Sequence, residues 1–195
     1  MRIRPSTLLA LPTAAIALIL LAGCGPADVE APPTSSASPS ATIDPTPTPT
    51  PTATGEEGVP VEVGCNQLVT PQELYDYNPN FALESGFSPS PGSLAAQAVA
   101  AKGIACSWVN LTSGETIVMS VAHLSDGALT ARANDLITSS NSVPTYSVEG
   151  YFILEGNIGT AQAISPPYWI TATSKFFFEP GDVAPLMAAA LSALG

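Results

Sequence analysis

The sequence predicts an α+β domain over residues 61–195, an antiparallel sheet with helices packed on one face, preceded by a leader and a long linker. Three observations predict it. Runs rich in β-branched and aromatic residues recur at Ile104–Val109, Glu115–Leu124, Tyr151–Glu155, Ile158–Ile164 and Tyr168–Ser174. The segments between successive runs, Thr112-Ser113-Gly114, Gly156-Asn157 and Ser165-Pro166-Pro167, are too short for crossovers, so these neighbours pair antiparallel. Helix-prone stretches come in blocks around the strands instead of alternating with each one, which is the order of an α+β chain.

The elements follow in order. Thr70-Pro71-Gln72-Glu73 starts a helix, with Thr70 as cap, Pro71 at the first helical position and Glu73 closing a capping box. That helix ends near Asp76 to Asn78, because the residue before Pro79 disfavours helical torsions. Phe81 to Gly92 reads as loop. Leu94 to Ala101 is Ala-rich, with Ser93 as cap and Gly103 as stop. Ile104–Val109 and Glu115–Leu124 form a hairpin. Ser125 then caps a helix to about Ser139, with Leu129, Ala133, Leu136 and Ile137 on one face. Thr145 to Glu149 is expected to be a further strand before the three-stranded meander. Asp182 is expected to cap a terminal helix through Leu194, with Leu186, Met187, Ala190, Leu191 and Leu194 toward the core.

Ahead of this domain, Met1–Arg4 carries the only charges before Cys24, and Leu8 to Ala22 is an uncharged Leu/Ala-rich run. Its length of about fifteen residues suits a signal peptide better than a membrane span, which needs about twenty. Leu21-Ala22-Gly23-Cys24 then resembles the lipobox of bacterial lipoprotein signal peptides. The resemblance implies diacylglyceryl transfer to the Cys24 thiol, cleavage between Gly23 and Cys24, and acylation of the new amino terminus. Two or more acyl chains hold a protein stably at a bilayer where one does not. The expectation is an extracytoplasmic protein anchored to the outer face of the cell membrane, with 1–23 removed.

Residues 24–60 read as a lipidated N-terminus followed by a disordered Pro/Thr/Ser-rich linker. Pro45 to Thr52 is a strict Thr-Pro repeat that favours extended polyproline II. Such a linker spans from roughly 30 Å as a coil to about 110 Å extended. Thr-Pro runs are also candidates for O-glycosylation.

With Cys24 lipidated, Cys65 and Cys106 remain as an even pair in a chain bound for an oxidising compartment. A structural bridge is favoured over redox catalysis, which wants a Cys-x-x-Cys pair. Cys65, followed by Thr70-Pro71-Gln72-Glu73, with the distant Cys106-Ser107-Trp108, resembles a family of small actinobacterial lipoproteins of unknown function. That resemblance supports the disulfide, implies Trp108 packed beside it, and implies no catalytic residue.

Composition narrows the function. From Val61 onward eleven acids face Lys102, Arg132 and Lys175, a net charge of −8. A surface this acidic repels phosphate backbones, so nucleic acid is excluded as a partner. His123, the one histidine, shares a strand face with Ile117, Met119 and Val121 and reads as packed. No nucleophile elbow, metal-ligand spacing or phosphate loop occurs, so no cofactor or metal is expected. Asp126 and Asp135 read as a solvated helix face. One residue of each pair Tyr151-Phe152 and Tyr168-Trp169 should face inward, leaving the other to line a groove for peptide, glycan or lipid. Of Phe176, Phe177 and Phe178, at least one should be exposed. The expected function is a non-enzymatic binding or accessory module of the cell envelope. The alternatives are a carrier of lipid or another hydrophobic ligand and, third, an envelope hydrolase. The expected partners are the bilayer, through acylated Cys24, and an envelope protein, glycan or lipid ligand.

Overall fold

The computed structural model describes residues 58–195. Gly23, Cys24, the expected leader and all but the last residues of the expected linker lie outside the described residues.

A seven-stranded antiparallel sheet organises the domain. Its strands are β1 (Phe81–Leu83), β2 (Ile104–Asn110), β3 (Thr116–His123), β4 (Asn141–Val143), β5 (Glu149–Glu155), β6 (Ile158–Ser165) and β7 (Tyr168–Ser174). They lie in the order β1-β2-β3-β7-β6-β5-β4. The hairpin β2–β3 and the meander β5–β6–β7 are where the short turns put them, and β3 joins the two blocks by pairing with β7. Among the described residues five α-helices accompany the sheet: α1 (Cys65–Leu68), α2 (Pro71–Tyr77), α3 (Leu94–Ala100), α4 (Asp126–Ser139) and α5 (Pro180–Ala193). The α+β class holds.

The helices divide between both faces, where one was expected. On the first face Ile117, Met119 and Val121 of β3, Ile170 and Ala172 of β7 and Trp108 of β2 are buried under Leu68, Leu74, Leu186 and Met187 from α1, α2 and α5. The second face carries Ala122, Ile164, Trp169 and Tyr151 under Ala98 of α3 and Leu129 and Leu136 of α4. The reason lies in alternation. Successive strand residues point to opposite faces, and β3, β6 and β7 each bury consecutive residues along their middle, so both faces need a cover.

Local chemistry explains most helix ends. Thr70 Oγ1 accepts from Glu73 N at 3.3 Å and Glu73 Oε2 accepts from Thr70 N at 2.8 Å, closing the expected capping box. Ser93 and Ser125 accept from Ala96 N and Ala128 N. Gly103 ends α3 for a reason other than left-handed torsion, which Lys102 supplies at φ 60°. Gly103 N donates to Ala98 O at 2.8 Å, and a Cβ there would sit 2.1 Å from Val121 O, so only glycine lets the helix end lie on β3. At α5 the cap position is Glu179, not Asp182. Asp182 reaches back from the third helical position, where Oδ2 accepts from Phe178 N at 2.7 Å and Glu179 N at 3.0 Å.

Two further expectations change. Phe81–Leu83, expected in a loop, pairs with Trp108–Asn110 as a short edge strand. The strand expected at Thr145–Glu149 is instead β4 at Asn141–Val143 followed by a 3-10 turn over Pro144–Tyr146. Pro144 has no N–H to extend a ladder, so pairing stops at Val143.

Cys65 and Cys106 form a disulfide, with Cα atoms 5.6 Å apart and a separation of 41 positions in sequence. It ties the start of α1 to β2 on the first face, where Trp108 is also buried. Closing such a loop contributes up to about 4 kcal/mol in the chain-entropy view.

Candidate functional site

The second face is where the molecule departs from a filled core. Its register rows run across the sheet. Glu149, Ile164, Trp169 and Ala122 form one row; Tyr151, Gln162, Thr171, Ser120 and Ala105 the next; Ile153, Thr160, Thr173, Val118 and Ser107 a third. The first row is apolar apart from Glu149. The other two are rich in hydroxyls and small side chains, the pattern of a solvent face, yet Ser107, Ser120 and Thr171 are buried.

A polar band crosses this face. Arg132 of α4 lies over the Trp169 ring, its Cζ 4.0 Å from the centroid, a cation–π contact. Arg132 Nη1 donates to Gln97 Oε1 at 3.0 Å, linking α4 to α3. Trp169 Nε1 donates to Gln162 Oε1 at 3.0 Å, and the Ser120 and Thr171 hydroxyls share a hydrogen bond of 2.7 Å. Ser107 Oγ, at the end of the third row, is buried without a hydrogen-bond partner among the described residues.

Two hollows flank the band. The first, about 380 Å³, is a trench between α4 and the sheet, floored by Leu129, Ala133 and Ile164 and edged by Ile137, Asp126 and Glu149. The second, about 250 Å³, lies between the loop before α3 and the sheet, lined by Phe87, Ser90, Ser93, Ala95, Thr116, Val118, Thr171 and Thr173. No ionisable side chain lines it, so it suits a neutral group with one apolar side and several hydroxyl or amide groups.

Glu149, which lines the trench, accepts at Oε1 from Tyr151 Oη at 2.5 Å. The phenol's pKa is pushed up to about 12, by burial first and then by the carboxylate it donates to. The bond fixes Glu149 at the wall of the trench. Asp126, in the first turn of α4, also lines the trench.

The residues singled out from the sequence fall into three groups. Cys65 and Cys106 are joined. Cys24 and Gly23 lie outside the described residues. The aromatic pairs are placed differently from expectation: Phe152 packs on the first face and both Tyr151 and Trp169 are buried on the second, so neither pair leaves a fully outward ring. Phe178 is exposed and Phe177 buried, as three consecutive Phe require. Ile137, expected on the buried face of its helix, is 64% exposed at the trench rim. His123 packs edge-on against Tyr168, ring centroids 5.3 Å apart, on the first-face side of β3. Among the described residues no cluster of three or more His, Cys, Asp or Glu is placed to hold a metal, and no helix is long and apolar enough to cross a membrane. Sequence reading missed Glu149, whose role depends on Asp126, 23 residues earlier, and on Tyr151. A Glu-x-Tyr on one strand face was the only local signal. No known family model, curated protein or solved structure matches the chain.

Proposed function

We propose that this protein is a membrane-anchored extracytoplasmic lipoprotein whose α+β domain is a non-enzymatic binding module of the cell envelope, with the second sheet face as its binding surface. One observation carries the reading: two open hollows flank a hydrogen-bonded polar band on that face, a fixed platform of the kind a ligand needs. The address rests on Leu21-Ala22-Gly23-Cys24, and a disulfide between Cys65 and Cys106 suits an oxidising compartment.

The test has two arms. Cys24→Ser should release the protein from membranes or stall its processing; unchanged fractionation and mature mass would sink the anchor. A photo-crosslinker placed at Thr173 or Ile137 in intact cells should capture a defined envelope component that the same probe at Ala188, on the exposed side of α5, does not. Identical capture from all three positions would sink the binding surface.

A further inference from the structure

The trench beside α4 has a chemistry that selects its occupant. Its floor is aliphatic, with Leu129 and Ile164 buried and Ala133 half-buried. On its rim Ile137 holds a large aliphatic side chain in water at 64% exposure, a surface that is stabilised when a partner covers it. Both ionisable groups that edge it are acids, Asp126 and Glu149, while Lys102, Arg132 and Lys175 line no part of it. Glu149 offers a positioned carboxylate: Tyr151 occupies Oε1, leaving Oε2 to accept from another donor. From Asp126 to Ile137 the helix rises about 16 Å, room for about five residues of extended chain.

We propose that this trench binds a basic, apolar peptide segment of a partner protein, its Lys or Arg side chains meeting Glu149 and Asp126 and its aliphatic side chains covering Ile137 and the Leu129–Ile164 floor. Charge complementarity argues for this partner over others. Acyl chains gain nothing from two carboxylates at the rim, and acidic glycans or anionic headgroups are repelled by them and by a domain carrying −8. The proposal rests on the binding-module reading and narrows it to one hollow and one class of partner.

The test uses the full mature protein and a fluorescently labelled five-residue peptide alternating leucine with lysine or arginine. The alternating leucine–glutamate peptide and an all-neutral leucine–glutamine peptide serve as comparators. The basic peptide should bind saturably, weaken as salt rises, and bind Glu149→Gln and Asp126→Asn about tenfold more weakly or worse. Ile137→Ser, an exposed change that leaves the core intact, should also weaken it. Ala188→Ser, on the exposed side of α5, should leave it unchanged. Equal binding of the acidic peptide, or unaltered affinity in Glu149→Gln of unchanged melting temperature, would overturn the proposal. The two readings fail separately: an envelope partner captured through Thr173 but no basic peptide bound defeats this inference alone, whereas no selective capture from either hollow defeats the module.

Discussion

The two faces of the sheet are covered by similar means and end in different states. On the first, α1, α2 and α5 press aliphatic and aromatic side chains onto Ile117, Met119, Val121 and Ile170, and the disulfide pins the edge. On the second, α3 and α4 cover only part of the area, and what lies between is hydroxyls, an amide and a cation over an indole. The larger buried apolar cluster lies on the first face, where stability is expected to concentrate. The second trades apolar burial for a patterned polar surface that remains reachable, which is where binding chemistry is expected. The first face is not free of polar defects: Tyr146 Oη is buried there without a hydrogen-bond partner among the described residues, and burial holds that phenol above the ordinary tyrosine range.

Core truncation gives the strongest contrast. Trp108 is 1% exposed and packs in the same cluster as Cys106 and Ile117. Trp108→Ala should cost about 3–5 kcal/mol, read as the loss of unfolding free energy in denaturant titration. A loss under about 1 kcal/mol would mean that the first face is not the stabilising one.

A smaller effect is expected on the second face. Gln162→Leu keeps side-chain volume but removes the acceptor for the buried Trp169 Nε1–H. Leaving that donor unpaired should cost about 1–3 kcal/mol, and the indole should lose the fixed orientation that meets Arg132. Near-UV circular dichroism reads that loss independently of stability. An unchanged spectrum with unchanged stability would show that the polar band is incidental.

This contrast was only half visible beforehand. Capping signals at Thr70, Ser93 and Ser125 mark helix starts, and three short turns define the hairpin and the meander, because these are local effects of a few residues. The second cover was hidden by Ser107, Ser120, Thr171 and Thr173. Alternating hydroxyls on strands read as a solvent face, and nothing local tells that α3 and α4 return to cover part of it. Phe81–Leu83 is too short to show a period of two, and exists as a strand only because β2 offers an open edge. The anchor signal we propose, by contrast, is entirely local to Leu21–Cys24, while the trench exists only after β5 and α4 are folded beside each other.

The smallest predicted effect separates the faces by pH. Tyr77, on the first face, and Tyr151, on the second, both have phenol pKa values pushed up to about 12. For Tyr77 the cause is burial, followed by the Asp182 carboxylate; for Tyr151 it is burial, followed by Glu149. In each case the fold favours the neutral phenol over the unfolded chain, whose tyrosines titrate near 10. The stabilisation is therefore complete below pH 10 and is lost as pH rises from 10 toward 12. The melting temperature should hold level up to about pH 10 and then fall. Tyr77→Phe and Tyr151→Phe should each flatten part of that fall, since phenylalanine has no proton to lose. Only Tyr151→Phe should also weaken the basic peptide at neutral pH, because it frees Glu149 from its fixed position. If Tyr77→Phe weakened the peptide as much as Tyr151→Phe, the trench would owe nothing to the Tyr151–Glu149 bond, and the division of labour between the faces would fail at the point where it is most specific.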